Sequence, residues 1–116
     1  MADSVLFIGW NRALAGQELK ALALFGGAQE YFTRLQSEGK IESFESVTLN
    51  VHGGDLNGFT LIRGDAQKLF EIQNEEEWLD LITEVNIYLQ GFGIVPGYIG
   101  EGLQNNMARM ARILGG

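Results

Sequence analysis

The segment that most constrains this chain is Ser4–Trp10, SVLFIGW, a short run dense in β-branched and aromatic residues and apolar on both parities. Such a run suits a strand covered on both faces, because a strand with one wet face alternates. Whatever sheet it joins must therefore hide one face under helices and find a second cover for the other.

The order of elements that follows says what the first cover is. From Gln17 to Glu38 the apolar residues Leu19, Leu22, Phe25, Ala28, Phe32 and Leu35 return every three or four places, the spacing of a helix, and Gly39 is placed to end it. Gly26 and Gly27 inside it each cost about 1 kcal/mol relative to alanine, which predicts a bend or a close backbone contact there. Ile41–His52 alternates, with Val47, Leu49 and Val51 on one parity and Thr48, Asn50 and His52 on the other, so it reads as a strand. The turn chemistry of Gly53–Gly58 leads through a hairpin into Phe59–Arg63. Asp65 is placed to cap a short helix. Asn74 with Glu77 has the spacing of a capping box for a second, whose stripe Trp78, Leu81, Ile82 and Val85 belongs to a core. Ile87–Ile99, uncharged and broken by glycines and Pro96, reads as a kinked strand. Leu103–Leu114 reads as a terminal helix whose stripe includes Met107 and Met110, suited to packing on its own subunit or a dimer mate.

Strand, helix, hairpin, helical pair and strand make a ferredoxin-like split βαβ arrangement of the α+β class. It is a four-stranded antiparallel sheet with helices on one face plus a C-terminal helix. The expected organisation is one domain over 1–116, with a core at about 4–100 and the last helix at about 101–114. Val5 and Phe7, or Leu6, Ile8 and Trp10, would then be left in water on the other face, so the topology asks for a lid or a second subunit.

Composition narrows the chemistry. There is no cysteine and one histidine, which argues against disulfides, thiolate nucleophiles and the usual metal-ligand sets. Neither a metal nor a cofactor is expected. Fifteen acidic residues against eight basic argue against a nucleic-acid partner. The acidity is local: between Asp65 and Glu84 seven carboxylates face Lys68 alone, and many sit in first turns, where they complement the helix dipole. The start MADSVLFIGW has no basic leader, and the uncharged run Val85–Gly100 is shorter than the roughly 20 residues of a membrane span. A cytoplasmic protein without a membrane partner is the expectation.

Four segments carry a family resemblance: LFIGWNR at the opening, KIESFE at the entry to the second strand, HGGDLNGFTLIRGD across the hairpin, and GFGIVPGYIGEGL near the end. Through them the chain from Val5 to Leu103 resembles a small bacterial family of uncharacterised proteins. That family lies within the dimeric α+β-barrel superfamily, which includes the antibiotic-biosynthesis-monooxygenase-like and YciI-like groups. The resemblance implies a homodimer in which two sheets pack face to face with helices outside and a ligand cavity in each half. The wider group includes cofactor-free oxygenases, heme-degrading enzymes, isomerases, dehalogenases and members of no assigned activity, so fold does not give function.

The residues suggest where a site would lie. If Val47, Leu49 and Val51 face the helices, Thr48, Asn50 and His52 point into the barrel, joined by Trp10, Thr60, Tyr88 and Gln90 from neighbouring strands. An apolar pocket with a few convergent polar groups suits a small, partly apolar molecule. A hydrated or subunit-facing layer has the same composition. His52 is the one side chain that titrates near neutrality without help and is the candidate catalytic base, oriented by Asp55; its alternative is a turn histidine bonded to local backbone. Arg63 and Arg12 each offer a fork for a substrate carboxylate, or an ordinary salt bridge. The glycines of Gly91–Gly97 miss the dinucleotide spacing, with Pro96 where a helix should begin. Arg63-Gly64-Asp65 reads as a strand end and helix cap. Three functions remain open: a homodimeric small-molecule-binding barrel, a cofactor-independent oxygenase or isomerase using His52, and a ligand-free structural or regulatory module.

Overall fold

The structure, a computed structural model, describes residues 2–115. Its elements in chain order are β1 (Ser4–Trp10), β2 (Arg12–Ala13), α1 (Glu18–Ser37), β3 (Ser43–Thr48), β4 (Gly58–Gly64), α2 (Ala66–Ile72), α3 (Glu76–Tyr88), β5 (Leu89–Gln90), β6 (Gly93–Tyr98) and α4 (Gly100–Ile113). The main sheet runs β3-β4-β1-β6 with every neighbour antiparallel, which is the ferredoxin-like order; β2 and β5 form a separate two-stranded ladder.

α1 ends where a glycine can end it. Gly39 takes φ +74, its N–H donates to the Gln36 carbonyl, and the Lys40 N–H turns back to the Leu35 carbonyl. Gly26 and Gly27 neither break the helix nor approach another backbone: both are exposed, and a Cβ on either would meet nothing within 4 Å. Nothing in the structure explains that pair. Asp65 caps α2 as expected, its carboxylate accepting from the Lys68 N–H at 3.1 Å. The capping box at Asn74 does not form. The Asn74 amide donates instead to the Phe70 carbonyl, and Glu75 occupies the cap of α3 without a side-chain capping bond, its carboxylate accepting from Lys40.

The core lies between the sheet and the helices. Leu6 and Ile62 from the sheet, Leu35 from α1 and Ile72 at the end of α2 are almost wholly buried. Phe32 stands between Phe44 and Trp78, with ring centroids 5.6 and 6.3 Å away at inclined angles that suit the aromatic quadrupole.

The register reverses the parity expected of the second strand. Phe44 pairs with Ile62, Ser46 with Thr60 and Thr48 with Gly58, and across β4 Ile62 meets Leu6 and Thr60 meets Ile8. Thr48 therefore shares the helix-covered face with the core residues, while Val47 lies with Phe59 and Phe7 on the other. The strand also stops at Thr48, because the chain leaves the ladder after Leu49 donates to the Asn57 carbonyl. Leu49 and Val51, which prolonged the apolar alternation in the sequence, lie in the loop, and Val51 is fully exposed. The expected last strand, 87–99, divides differently as well. α3 runs on to Tyr88, and strand pairing resumes at Leu89 and again at Gly93.

The face of the sheet turned away from the helices is apolar. Phe7 and Phe59 stack there with centroids 5.1 Å apart, beside Leu61, Val47 and the exposed Val95, with one charged pair, Arg63 and Glu45. α4 buries none of its residues, and Leu103, Met107 and Met110 stay about half exposed along one side.

Candidate functional site

Between the sheet and the two long helices lies a cavity of about 360 Å³. Its floor is the helix-side parity of the sheet: Ile8 and Trp10 from β1, Thr60 from β4 and Thr48 from β3. The α1 stripe supplies Phe25, Ala28 and Phe32, and α3 supplies Leu81, Ile82 and Val85. Those helical positions recur at three and four because one side of each helix faces the sheet. The exposed lining residues Arg12, Glu18 and Leu22 mark the mouth.

Trp10 dominates one wall. Its ring meets Phe25 edge-on, centroids 6.0 Å apart. It can lie over β4 only because the residue opposite is Gly58, where a Cβ would come within 2.6 Å of the indole. Behind the floor runs a polar line. The Thr60 hydroxyl lies 2.8 Å from that of Ser46, and Ser46 donates to the Gln29 side-chain carbonyl at 3.1 Å. The Gln29 amide nitrogen is buried and has no partner, an expensive state for a strong donor beside an otherwise apolar chamber.

Of the residues singled out in the sequence, the structure brings Trp10, Thr48 and Thr60 together around the cavity, with Arg12 at its mouth. The others do not line it. Asn50 and His52 lie in the exposed loop after β3. The His52 ring closes that loop on itself, with Nδ1 accepting from the Gly54 N–H at 3.2 Å and Nε2 donating to the Leu56 carbonyl at 2.6 Å. Arg63 is on the opposite face of the sheet, paired with Glu45. Tyr88 and Gln90 stand just behind the mouth. Their carbonyls accept from the Leu14 and Asn11 N–H groups, and the Tyr88 ring lies 5.5 Å beneath the Lys20 ammonium. The cavity itself falls between sheet and helices, not in a space between two sheets, which follows from the reversed parity. Phe25, Phe32 and Gln29 were visible in the sequence only as helix-stripe positions. The partnering of Ser46 with Gln29 has no local sequence signal.

Tyr31 also carries a perturbed hydroxyl, but in the core. Burial chiefly, with the carboxylates of Glu75 and Glu77 adding, pushes it up to about 12, so it stays protonated. Its oxygen has no hydrogen-bond partner. The Arg34 guanidinium is raised by its hydrogen bond to Glu77. Among the described residues, no cluster of three or more His, Asp or Glu is placed to hold a metal ion. No helix is long and apolar enough to cross a membrane.

No protein-family model matches the chain, and no curated protein matches it. Solved structures do. A dimeric protein of unknown function and ferredoxin-like fold from Bacteroides fragilis matches at TM-score 0.60 and 11% identity, over 83% of this chain and 96% of that one. The hydroxynitrile lyase of Passiflora edulis matches at 0.62 and 12%, over 87% and 97%. SnoaB, a cofactor-independent oxygenase from Streptomyces nogalater, matches at 0.51 and 17%, over 85% and 93%. At these identities the likeness is one of fold, and the two proteins with a named activity already differ in chemistry. This chain has the ferredoxin-like α+β fold.

Proposed function

We propose that this chain is a cytoplasmic homodimer that holds a small, largely apolar molecule in the cavity of each protomer, with Trp10, Thr48 and Thr60 as contacts. The observation that carries the reading is the chamber itself. It is a cleft of about 360 Å³ between sheet and helices, in the size range of small-molecule sites, walled by aromatic and aliphatic side chains with a few hydroxyls. Calorimetric titration with 2-naphthamide, a neutral two-ring probe, tests it. Binding is expected in the native chain and its loss in Ala28→Phe, which fills the chamber. At 100 times its dissociation constant the probe should add about 2.7 kcal/mol of stability. If no apolar probe binds, the ligand-free interaction module takes the place of this reading.

Pairing through the open sheet face is supported by its apolar surface around Phe7 and Phe59, and by the dimeric B. fragilis structure. The shape of the protomer supports it too. Its radius of gyration is 15.9 Å, against about 13 Å for a compact domain of this length. A cytoplasmic setting accords with a cysteine-free composition.

A second reading, an oxygenase or isomerase with His52 as general base, draws on the fold of SnoaB. It requires His52 to exchange its two backbone bonds for the substrate's acidic proton. Unchanged turnover of an identified substrate by His52→Ala would remove that role.

A further inference from the structure

The mouth of the cavity carries a cation without an acidic partner. Arg34 pairs with Glu77 and Arg63 with Glu45, but Arg12 forms no ion pair among the described residues. Its one hydrogen bond is a long contact, 3.5 Å from Nε to Asn11 Oδ1, on an oxygen that also accepts from the Asn57 amide. Carboxylates are not scarce, with fifteen acidic residues to eight basic. The one carboxylate among the described lining residues, Glu18, accepts from the Gly16 N–H instead. Meanwhile the Arg12 backbone is fixed. It pairs with Gln90 in the β2–β5 ladder, and the residues on either side of this two-residue strand, Asn11 and Leu14, donate to the Gln90 and Tyr88 carbonyls at 2.9 Å. A guanidinium on a fixed backbone, with its fork unused, stands over an apolar chamber.

We propose that the cavity selects an aromatic carboxylate, its rings inside and its carboxylate held by Arg12 in a bidentate pair at the mouth. This rests on reading the cavity as a ligand site. Size sets the body: an apolar cavity of about 150 Å³ takes benzene, so 360 Å³ suits two fused rings. Charge sets the direction. Arg12 is the sole lysine or arginine among the described lining residues, so a carboxylate has no counter-charge in the interior and turns outward. The start of α1 lies on the same rim, but Glu18 in its first turn already answers the positive end of its dipole, so Arg12 alone carries the preference. Because Arg12 is solvated when the site is empty, the preference comes from a charge-assisted bond gained, and its size is moderate.

The test compares 2-naphthoate with 2-naphthamide, which match in shape and differ in charge, by calorimetry on the full chain. The carboxylate is expected to bind roughly tenfold more tightly at low salt, with the gap narrowing as salt is added. Arg12→Gln should bring the carboxylate down to the level of the amide and leave the amide unchanged, and Arg12→Lys should keep part of the gap. Arg12 is exposed on a two-residue strand, and a thermal melt of each variant verifies folding. Equal binding of both probes, or a preference that survives in Arg12→Gln, overturns the proposal while leaving the cavity reading intact. Failure of both probes to bind at any soluble concentration overturns the two together.

Discussion

Trp10 and Gly58 face each other across β1 and β4, and the indole occupies the space that any side chain at position 58 would need. Gly58→Ala should therefore push the ring into the cavity or off the sheet. A loss of about 1–3 kcal/mol is expected from overpacking. A shift in tryptophan emission and weaker binding of 2-naphthamide should accompany it in the same variant. Wild-type emission and affinity would show that the ring is not held by that glycine.

Tyr31→Phe removes a buried hydroxyl that has no partner, so near neutral pH it should be neutral or stabilising, within about 1 kcal/mol. The alkaline limb separates it further. The folded state holds the Tyr31 proton to about 12, against about 10 in an unfolded chain, so between those values the native state binds more protons and stability falls as pH rises. Up to about 2–3 kcal/mol of stability, fully present below pH 10, is lost by pH 12 in the wild type. Tyr31→Phe should lack that loss, as urea melts across the range would show.

His52 ties the 52–56 loop through both ring nitrogens. His52→Ala should cost about 1 kcal/mol and speed amide exchange at Gly54, while the affinity for 2-naphthamide stays unchanged. A drop in affinity would bring the loop into the ligand site.

Phe59→Glu places a charge beside Phe7 on the open sheet face. If that face joins two copies, sedimentation should show the native mass halved in the variant, with the circular dichroism of the fold retained. An unchanged mass would place the interface elsewhere.

How far the sequence could be read depended on whether its signals were local. The α1 stripe from Phe25 to Leu35, the Gly39 stop and the Asp65 cap all act within a turn or two, and each stands where the sequence put it, whereas Leu19 and Leu22 at the start of the stripe are exposed. The order of strands was legible for the same reason, since the split βαβ topology follows from element order alone. The face assignment of β3 was not. Its alternation names two sets of residues, and of the set richer in Val and Leu only Val47 stays in the strand, on the sheet's second face, because that face is apolar too. From that one reversal the cavity moved to the helix side, while Arg63, of opposite parity to Thr60 on β4, could share a face with it under neither assignment. Thr48, Thr60 and Trp10 kept their place among its walls because register joins them whichever face is inside.

The double apolar parity of Ser4–Trp10 divides into two duties along a single strand. Leu6, Ile8 and Trp10 face the core and the cavity floor, while Phe7 lies with Phe59 on the bare side. Substitutions at adjacent positions of β1 should thus disturb unrelated properties. A scan along the strand would oscillate with a period of two between defects in what the protomer holds and defects on its outer wall. In this chain, position along β1 matters less than whether the number is even or odd.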